Sequence, residues 1–195
     1  MKKLNAEYWE RRWQDQQTGW DIGQASPPLM RYAEQLRADD PRILIPGAGR
    51  AYEAIALHQM GFTKVFVCDW AASAFDHLKT AAPDFPEDHL LIGDFFELPL
   101  EAAIDLVLEQ TFFCALDPQL RPRYVEKMHR IIRPGGHLAG VLFASPFPFD
   151  GPPFGGTPTE YEALFSSHFE IRQMEISPDS IPPRLGNELF FELLK

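Results

Sequence analysis

Residues 42–53 read Arg-Ile-Leu-Ile-Pro-Gly-Ala-Gly-Arg-Ala-Tyr-Glu, and this stretch narrows the fold more than any other part of the chain. The apolar run Ile43, Leu44, Ile45 has the length and β-branched content of a buried strand, and Pro46, Gly47 and Gly49 stop it abruptly. Beyond the turn, Ala51, Ala54, Ile55, Leu57 and Met60 recur at helical spacing until Gly61 ends the run. Strand, glycine turn and helix in that order build an anion-accepting corner. The glycines allow close approach to the backbone, and the free N–H groups at the helix start point into the corner.

Two more residues bear on what such a corner holds. A dinucleotide fingerprint requires a third glycine three residues after the second, and that position is Tyr52. A second strand ends at Cys68 and is followed by Asp69, whose carboxylate is placed to accept both hydroxyls of a ribose. One glycine turn and one ribose acid, without the pyrophosphate glycine, fit S-adenosylmethionine better than NAD. The alternatives are an NAD-binding oxidoreductase-like protein, a non-catalytic binder of S-adenosylmethionine, or an ordinary tight turn in an α/β domain.

The flanking pattern is that of an α/β protein. Residues 1–38 form a helical extension: a helix over 5–17 with Asn5 as cap, and another from Ser26-Pro27-Pro28 to about Ala38. After the glycine turn, strands at 65–68, 89–92, 104–108 and 137–144 alternate with helices at 71–81 and 119–132. Arg133-Pro134-Gly135-Gly136 reads as a turn. This order predicts a doubly wound, mostly parallel sheet with its ligand at the C-terminal strand ends. The last two strands, near 169–176 and 188–194, are joined by a loop too short for a crossover helix. They are therefore expected to pair as an antiparallel hairpin.

The whole of 1–195 is expected to form a single domain. Its 28 acids against 18 Lys and Arg leave a net charge of −10, which argues against nucleic acid and anionic membranes as partners. No apolar stretch has the length of a signal peptide core or a membrane span. Cys68 and Cys114 follow no metal or redox spacing and read as packed, reduced thiols, so a cytoplasmic location is expected. The six histidines show no paired spacing, so no metal site is expected, and no serine lies in a nucleophile elbow.

Four strand ends converge on the predicted crevice: Gly47 to Gly49, Asp69, Asp94-Phe95 and Glu109-Gln110. Asp94 is placed to accept from an adenine amino group while Phe95 covers the base, and Glu109 to accept from the ammonium of the methionine moiety. Trp9 and Trp13, four residues apart, share a helical face and precede Trp20. They either cover an end of the sheet as core or form a lid over a bound sulfonium. From 145 to 156, prolines interleave with Phe147, Phe149 and Phe154, a loop too apolar to stand in water. Trp20, Phe112, Phe154 and this loop read as the wall of an acceptor pocket, with Gln110 beside it.

Taken together, these motifs resemble the thiopurine S-methyltransferase superfamily, especially its bacterial members and the plant thiol and halide methyltransferases. The resemblance spans nearly the whole chain. It rests on Tyr-Trp-Glu-Arg-Arg-Trp and Thr-Gly-Trp-Asp-Ile-Gly within 8–23, Ile-Pro-Gly-Ala-Gly-Arg at 45–50 and Asp-Phe-Phe-Glu-Leu at 94–98. It continues in Glu-Gln-Thr-Phe-Phe-Cys-Ala-Leu-Asp-Pro at 109–118, Leu-Arg-Pro-Arg-Tyr at 120–124, Arg-Pro-Gly-Gly at 133–136 and Gly-Pro-Pro-Phe at 151–154. It implies a seven-stranded Rossmann-like methyltransferase fold, a lid whose Trp9, Trp13 and Trp20 line the S-adenosylmethionine pocket, and cofactor contacts from Gly47, Asp69, Asp94 and Phe95. It also implies a small-molecule acceptor. At Gln110 the thiopurine enzymes look to carry arginine and the plant halide enzymes an aromatic residue. A neutral amide there secures neither acceptor class and disfavours a large thiopurine.

Overall fold

The computed structural model describes residues 4–36 and 40–195. Seven strands form one sheet: β1 (Ile43–Pro46), β2 (Val65–Asp69), β3 (Leu90–Ile92), β4 (Ile104–Gln110), β5 (Ile132–Phe143), β6 (Glu170–Ile176) and β7 (Glu188–Leu194). Their spatial order is β3-β2-β1-β4-β5-β7-β6. The first five run parallel, and β7 lies antiparallel between β5 and β6. The expected doubly wound sheet with a C-terminal hairpin is what forms.

The described residues form six α-helices, α1 (Ala6–Gln14), α2 (Pro27–Glu34), α3 (Tyr52–Gln59), α4 (Asp76–Ala81), α5 (Arg121–Ile131) and α6 (Pro158–Phe165), of which the last five pack on the two faces of the sheet. Strand alternation sends Ile43 and Ile45 to one face, where Leu29 of α2, Leu57 of α3 and Leu78 of α4 pack on them. Leu44 and Val107 face the other way, onto Tyr124 and Met128 of α5 and Phe165 of α6. Because both faces of β1 and β4 are covered, these strands read as continuous apolar runs rather than as alternation.

Local signals set most boundaries. Asn5 caps α1 by accepting from the Tyr8 N–H at 3.1 Å. Thr157 and Glu160 close a reciprocal capping box on α6. Ser26 differs: its hydroxyl makes no cap, and its own N–H donates instead to Glu53 Oε1 at 2.8 Å. Helix α2 is helical to Glu34, and the expected end near Ala38 lies outside the described residues. The helix expected over 71–81 divides into a 3-10 turn, Ala72–Phe75, followed by α4.

The Arg133-Pro134-Gly135-Gly136 segment is not a turn before the strand but an excursion within it. Ile132 pairs with Ile104 and His137 with Leu106, so β5 has four residues between these pairs where β4 has one. A smaller irregularity marks β6, where Arg172 is inserted between the Ile171–Leu193 and Gln173–Glu192 pairs.

Candidate active site

A cavity of about 830 Å³ opens at the C-terminal ends of the parallel strands. The glycine turn lies at its base. Gly47 has φ +59°, and a Cβ built on it would stand 2.4 Å from the Phe112 ring. Only glycine allows this approach. Asp69, at the end of β2, accepts from the Ala71 N–H at 3.0 Å and the Gly49 N–H at 3.1 Å, one bond on each oxygen. Burial pushes its carboxyl above the ordinary range, and these backbone donors oppose the shift. Asp94 caps the next turn by accepting from the Phe96 N–H at 2.8 Å.

The N-terminal segment closes over this base. None of the residues of α1 is buried, so Trp9 and Trp13 are not sheet-end core. They meet Trp20 edge to face, with ring centroids 5.5 and 5.6 Å from it, and all three indoles line the cavity. Trp13 also stands 3.3 Å from where a Cβ on Gly49 would lie. Polar contacts hold the segment down. Arg50 Nε, from the glycine turn itself, reaches Asp21 Oδ2 at 2.7 Å, and Ser73 Oγ donates to Glu10 Oε1 at 2.9 Å.

The cavity thus gathers Trp9, Trp13, Trp20, Gly47, Gly49, Asp69, Asp94, Phe95 and Phe112 from the sequence-predicted set. It leaves three out. Glu109 does not line it: the side chain is fully buried, and its Oε1 accepts from the Phe112 and Phe113 N–H groups at 2.9 and 3.1 Å. Its Oε2 is buried without a hydrogen-bond partner among the described residues. Burial raises this carboxyl to about 7, against the pull of the two N–H donors. Gln110 accepts from the Thr111 hydroxyl at 3.0 Å and also lies off the lining, which removes the basis for excluding a thiopurine by it. Phe154 lies off it too, whereas Phe147, Phe149, Pro152 and Pro153 of the same loop are on it.

Sequence reasoning missed Arg184. Its side chain is largely buried and lines the cavity, donating to Glu188 Oε1 at 3.0 Å and to the Trp20 carbonyl at 2.9 Å. Its guanidinium carbon lies 5.4 Å from the centroid of the Phe143 ring. A lone arginine in a proline-containing loop gives no signal in the sequence beyond its spacing from Glu188.

Residues 4–189 match the thiopurine S-methyltransferase (TPMT) family. The chain belongs to this family. It is an S-adenosylmethionine-dependent methyltransferase, which decides against the NAD alternative. Among relatives of the methyltransferase, a probable thiol methyltransferase 2 of Arabidopsis thaliana is 28% identical over 96% of this chain and 84% of its own. A thiopurine S-methyltransferase of Nitrosospira multiformis is 30% identical over 88% of this chain and 84% of its own. In fold, the methyltransferase resembles the 1,6-didemethyltoxoflavin-N1-methyltransferase of Burkholderia thailandensis, with a TM-score of 0.75 at 19% identity over 98% of this chain and 87% of that one. That enzyme was solved with 1,6-didemethyltoxoflavin and S-adenosylhomocysteine bound. No helix among the described residues is long and apolar enough to cross a membrane.

Proposed function

We propose that this methyltransferase acts on a small, soft nucleophile: a thiolate or bisulfide first, with halide and selenium species as acceptors of the same kind. The cavity wall carries the proposal. Among the described residues that line it there is no histidine, lysine, glutamate or tyrosine. The wall's carboxylates are Asp69, Asp94 and Asp117, the first two taken up by the proposed cofactor contacts. All three are ordinarily weak bases near neutral pH, so the wall favours an acceptor that arrives as its own anion. The two thiols on the wall do not compete as nucleophiles, because burial pushes Cys68 up to about 12 and Cys114 higher still. Relatives named as thiol and thiopurine methyltransferases accord with this reading.

The chain's own groups suit S-adenosylmethionine. Each Asp69 oxygen accepts one N–H and retains a lone pair for a ribose hydroxyl. Gly47 and Gly49 leave the turn bare for a carboxylate, Asp94 serves the adenine amino group, and Phe95 covers the base. Trp9, Trp13 and Trp20 present aromatic faces to a cation. The cofactor supplies a methyl group on a sulfonium that departs without needing a proton. What remains for the protein is alignment and exclusion of water, which the indole lid and the apolar loop provide.

The experiment is release of S-adenosylhomocysteine by the purified protein with S-adenosylmethionine and, in turn, bisulfide, a small thiol, iodide, a thiopurine and an alcohol. Turnover with the soft anions and none with the alcohol is expected. Turnover with the alcohol alone would overturn the acceptor class, and binding without any release would make the protein a non-catalytic binder.

Three arginines line the cavity, Arg12, Arg123 and Arg184, and Arg184, bonded both to the lid at Trp20 and to Glu188 of β7, is the one we propose meets an anionic acceptor. Arg184→Lys keeps the charge facing Glu188 but loses the fork that also reaches the Trp20 carbonyl. It is expected to raise the KM for bisulfide about tenfold, a cost of about 1.4 kcal/mol in binding. Steady-state kinetics on the variant checks this, with the S-adenosylmethionine dissociation constant unchanged within about threefold.

A further inference from the structure

Two of the sequence motifs, Leu-Arg-Pro-Arg-Tyr at 120–124 and Gly-Pro-Pro-Phe at 151–154, meet in space, and Arg121 of the first has no part in the cofactor or acceptor assignments. Arg121, the first residue of α5, donates from one nitrogen, Nη2, to two successive carbonyls, Phe154 O at 3.2 Å and Gly155 O at 3.0 Å. Its guanidinium stands 4.8 Å from the centroid of the Phe113 ring and 5.9 Å from that of Tyr161. Its Nε is buried without a partner among the described residues. Arg121 does not itself line the cavity. Its hydrogen bonds go to backbone at the foot of the apolar loop and not to a carboxylate.

Among the described residues, the other hydrogen bonds that fasten this loop also lie at its foot, including one from the Ser145 hydroxyl to Asn187 Oδ1. The Phe154 N–H donates to the Cys114 carbonyl at 2.6 Å, and a Cβ on Gly155 would stand 2.0 Å from the Ser145 carbonyl oxygen, so the two ends pass in direct backbone contact. Between them, Phe147, Phe149, Pro152 and Pro153 form one wall of the cavity, with Phe149 more than half exposed. Phe147 stacks on Phe149 at 5.1 Å and meets Phe143 at 4.9 Å, contacts that carry no directional hydrogen bond. The position of this wall therefore depends on how its foot is held.

We infer that Arg121 is a positioning residue for the acceptor: by clamping the Phe154 and Gly155 carbonyls it fixes the Phe147–Pro153 wall and thereby selects acceptors large enough to touch that wall. The inference rests on the methyltransferase reading of the cavity. A planar, permanently charged fork set against two rings suits this role, and an ammonium does not.

Arg121→Lys and Arg121→Met test it, by kinetics with two acceptors and by hydrogen exchange with S-adenosylmethionine bound. A thiopurine, large enough to reach the wall, is expected to lose at least tenfold in KM, with less loss in kcat. Bisulfide, too small to reach it, keeps its KM within threefold, and the S-adenosylmethionine dissociation constant stays within twofold. A merely structural lesion would move all three together, and that result would overturn the inference, as would an unchanged KM for the thiopurine. The Phe154 amide, which donates to the Cys114 carbonyl at the clamped foot, is expected to exchange at least tenfold faster in both variants, while those of β1 and β4 do not change. This arm is independent of turnover: if the wild type releases no S-adenosylhomocysteine, the methyltransferase reading fails by itself, and unchanged exchange in the loop separately overturns the positioning role. Should Arg121→Met fail to fold, Arg121→Lys carries both readouts.

Discussion

Asp69→Ala is expected to weaken S-adenosylmethionine binding by about two orders of magnitude. Two losses add. A hydrogen bond to a charged acceptor contributes about 1.5–3 kcal/mol, and the proposed ribose contact uses both carboxylate oxygens. The same oxygens hold the Gly49 and Ala71 N–H groups, so the alanine variant also releases the glycine turn that the cofactor is proposed to approach. Each 1.4 kcal/mol is a factor of about ten, which makes a hundredfold the smaller end of the expectation. Titration calorimetry measures it directly. Asp69→Asn, which preserves one acceptor oxygen, should fall between wild type and alanine, and a dissociation constant within threefold of wild type for the alanine variant would remove Asp69 from the ribose site.

The second large effect is on stability and has an unusual sign. Glu109 titrates at about 7 in the folded chain against an ordinary 4.5, because burial disfavours its charge more than the Phe112 and Phe113 N–H groups restore it. The unfolded chain loses this proton first, so folding is favoured at low pH and stability falls as pH rises from about 4.5 through 7. Each tenfold change in proton affinity amounts to about 1.4 kcal/mol, so ionising the buried group costs about 3 kcal/mol by pH 8. Glu109→Gln keeps an oxygen for the two N–H donors and removes the titration. Urea unfolding of the ligand-free protein at pH 5 and pH 8 should find the variant gaining about 2.5 kcal/mol on the wild type between the two, the rest of the cost being already present at pH 5. A difference that stays constant with pH would show that the carboxyl is ionised throughout. The nearby Tyr124 hydroxyl, also buried and without a partner among the described residues, is pushed far above its ordinary range by burial and in part by this same carboxylate, so both groups favour the protonated state.

Glu109 also marks the boundary of what the sequence discloses. The turn at 47–49 and the acid at 69 are legible because each is local: a glycine requirement, a strand end and a fixed spacing. Glu109 reads equally well as a strand-end acid, but β4 runs on through Gln110 with both faces covered, and the carboxylate is drawn into the interior instead of the crevice. The same non-local packing decides the apolar loop. Nothing in its composition distinguishes Phe154, whose backbone is the anchor, from Phe147 and Phe149, whose rings face the cavity. Arg184 escaped notice because its partners, Trp20 and Glu188, come from opposite ends of the chain. The tryptophans are the opposite case. Their helical spacing is visible at once, but whether they are core or lid depends on α1 burying nothing, which only the folded arrangement reveals.

The placement of β7 inside the sheet leaves β3 and β6 as its margins, and both are poor templates for another chain. Strand β3 offers only three residues. Strand β6 is longer and carries Ile176 substantially exposed, but Arg172 breaks its register and Glu170 and Glu175 flank the break. Unpaired backbone at a sheet margin invites edge-to-edge aggregation, and shortness, an irregularity and charge are the means that frustrate it. The hairpin that closes the sheet therefore also protects it, because it covers the open side of β5, long and almost wholly apolar from Leu138 to Leu142, with an edge that resists self-association.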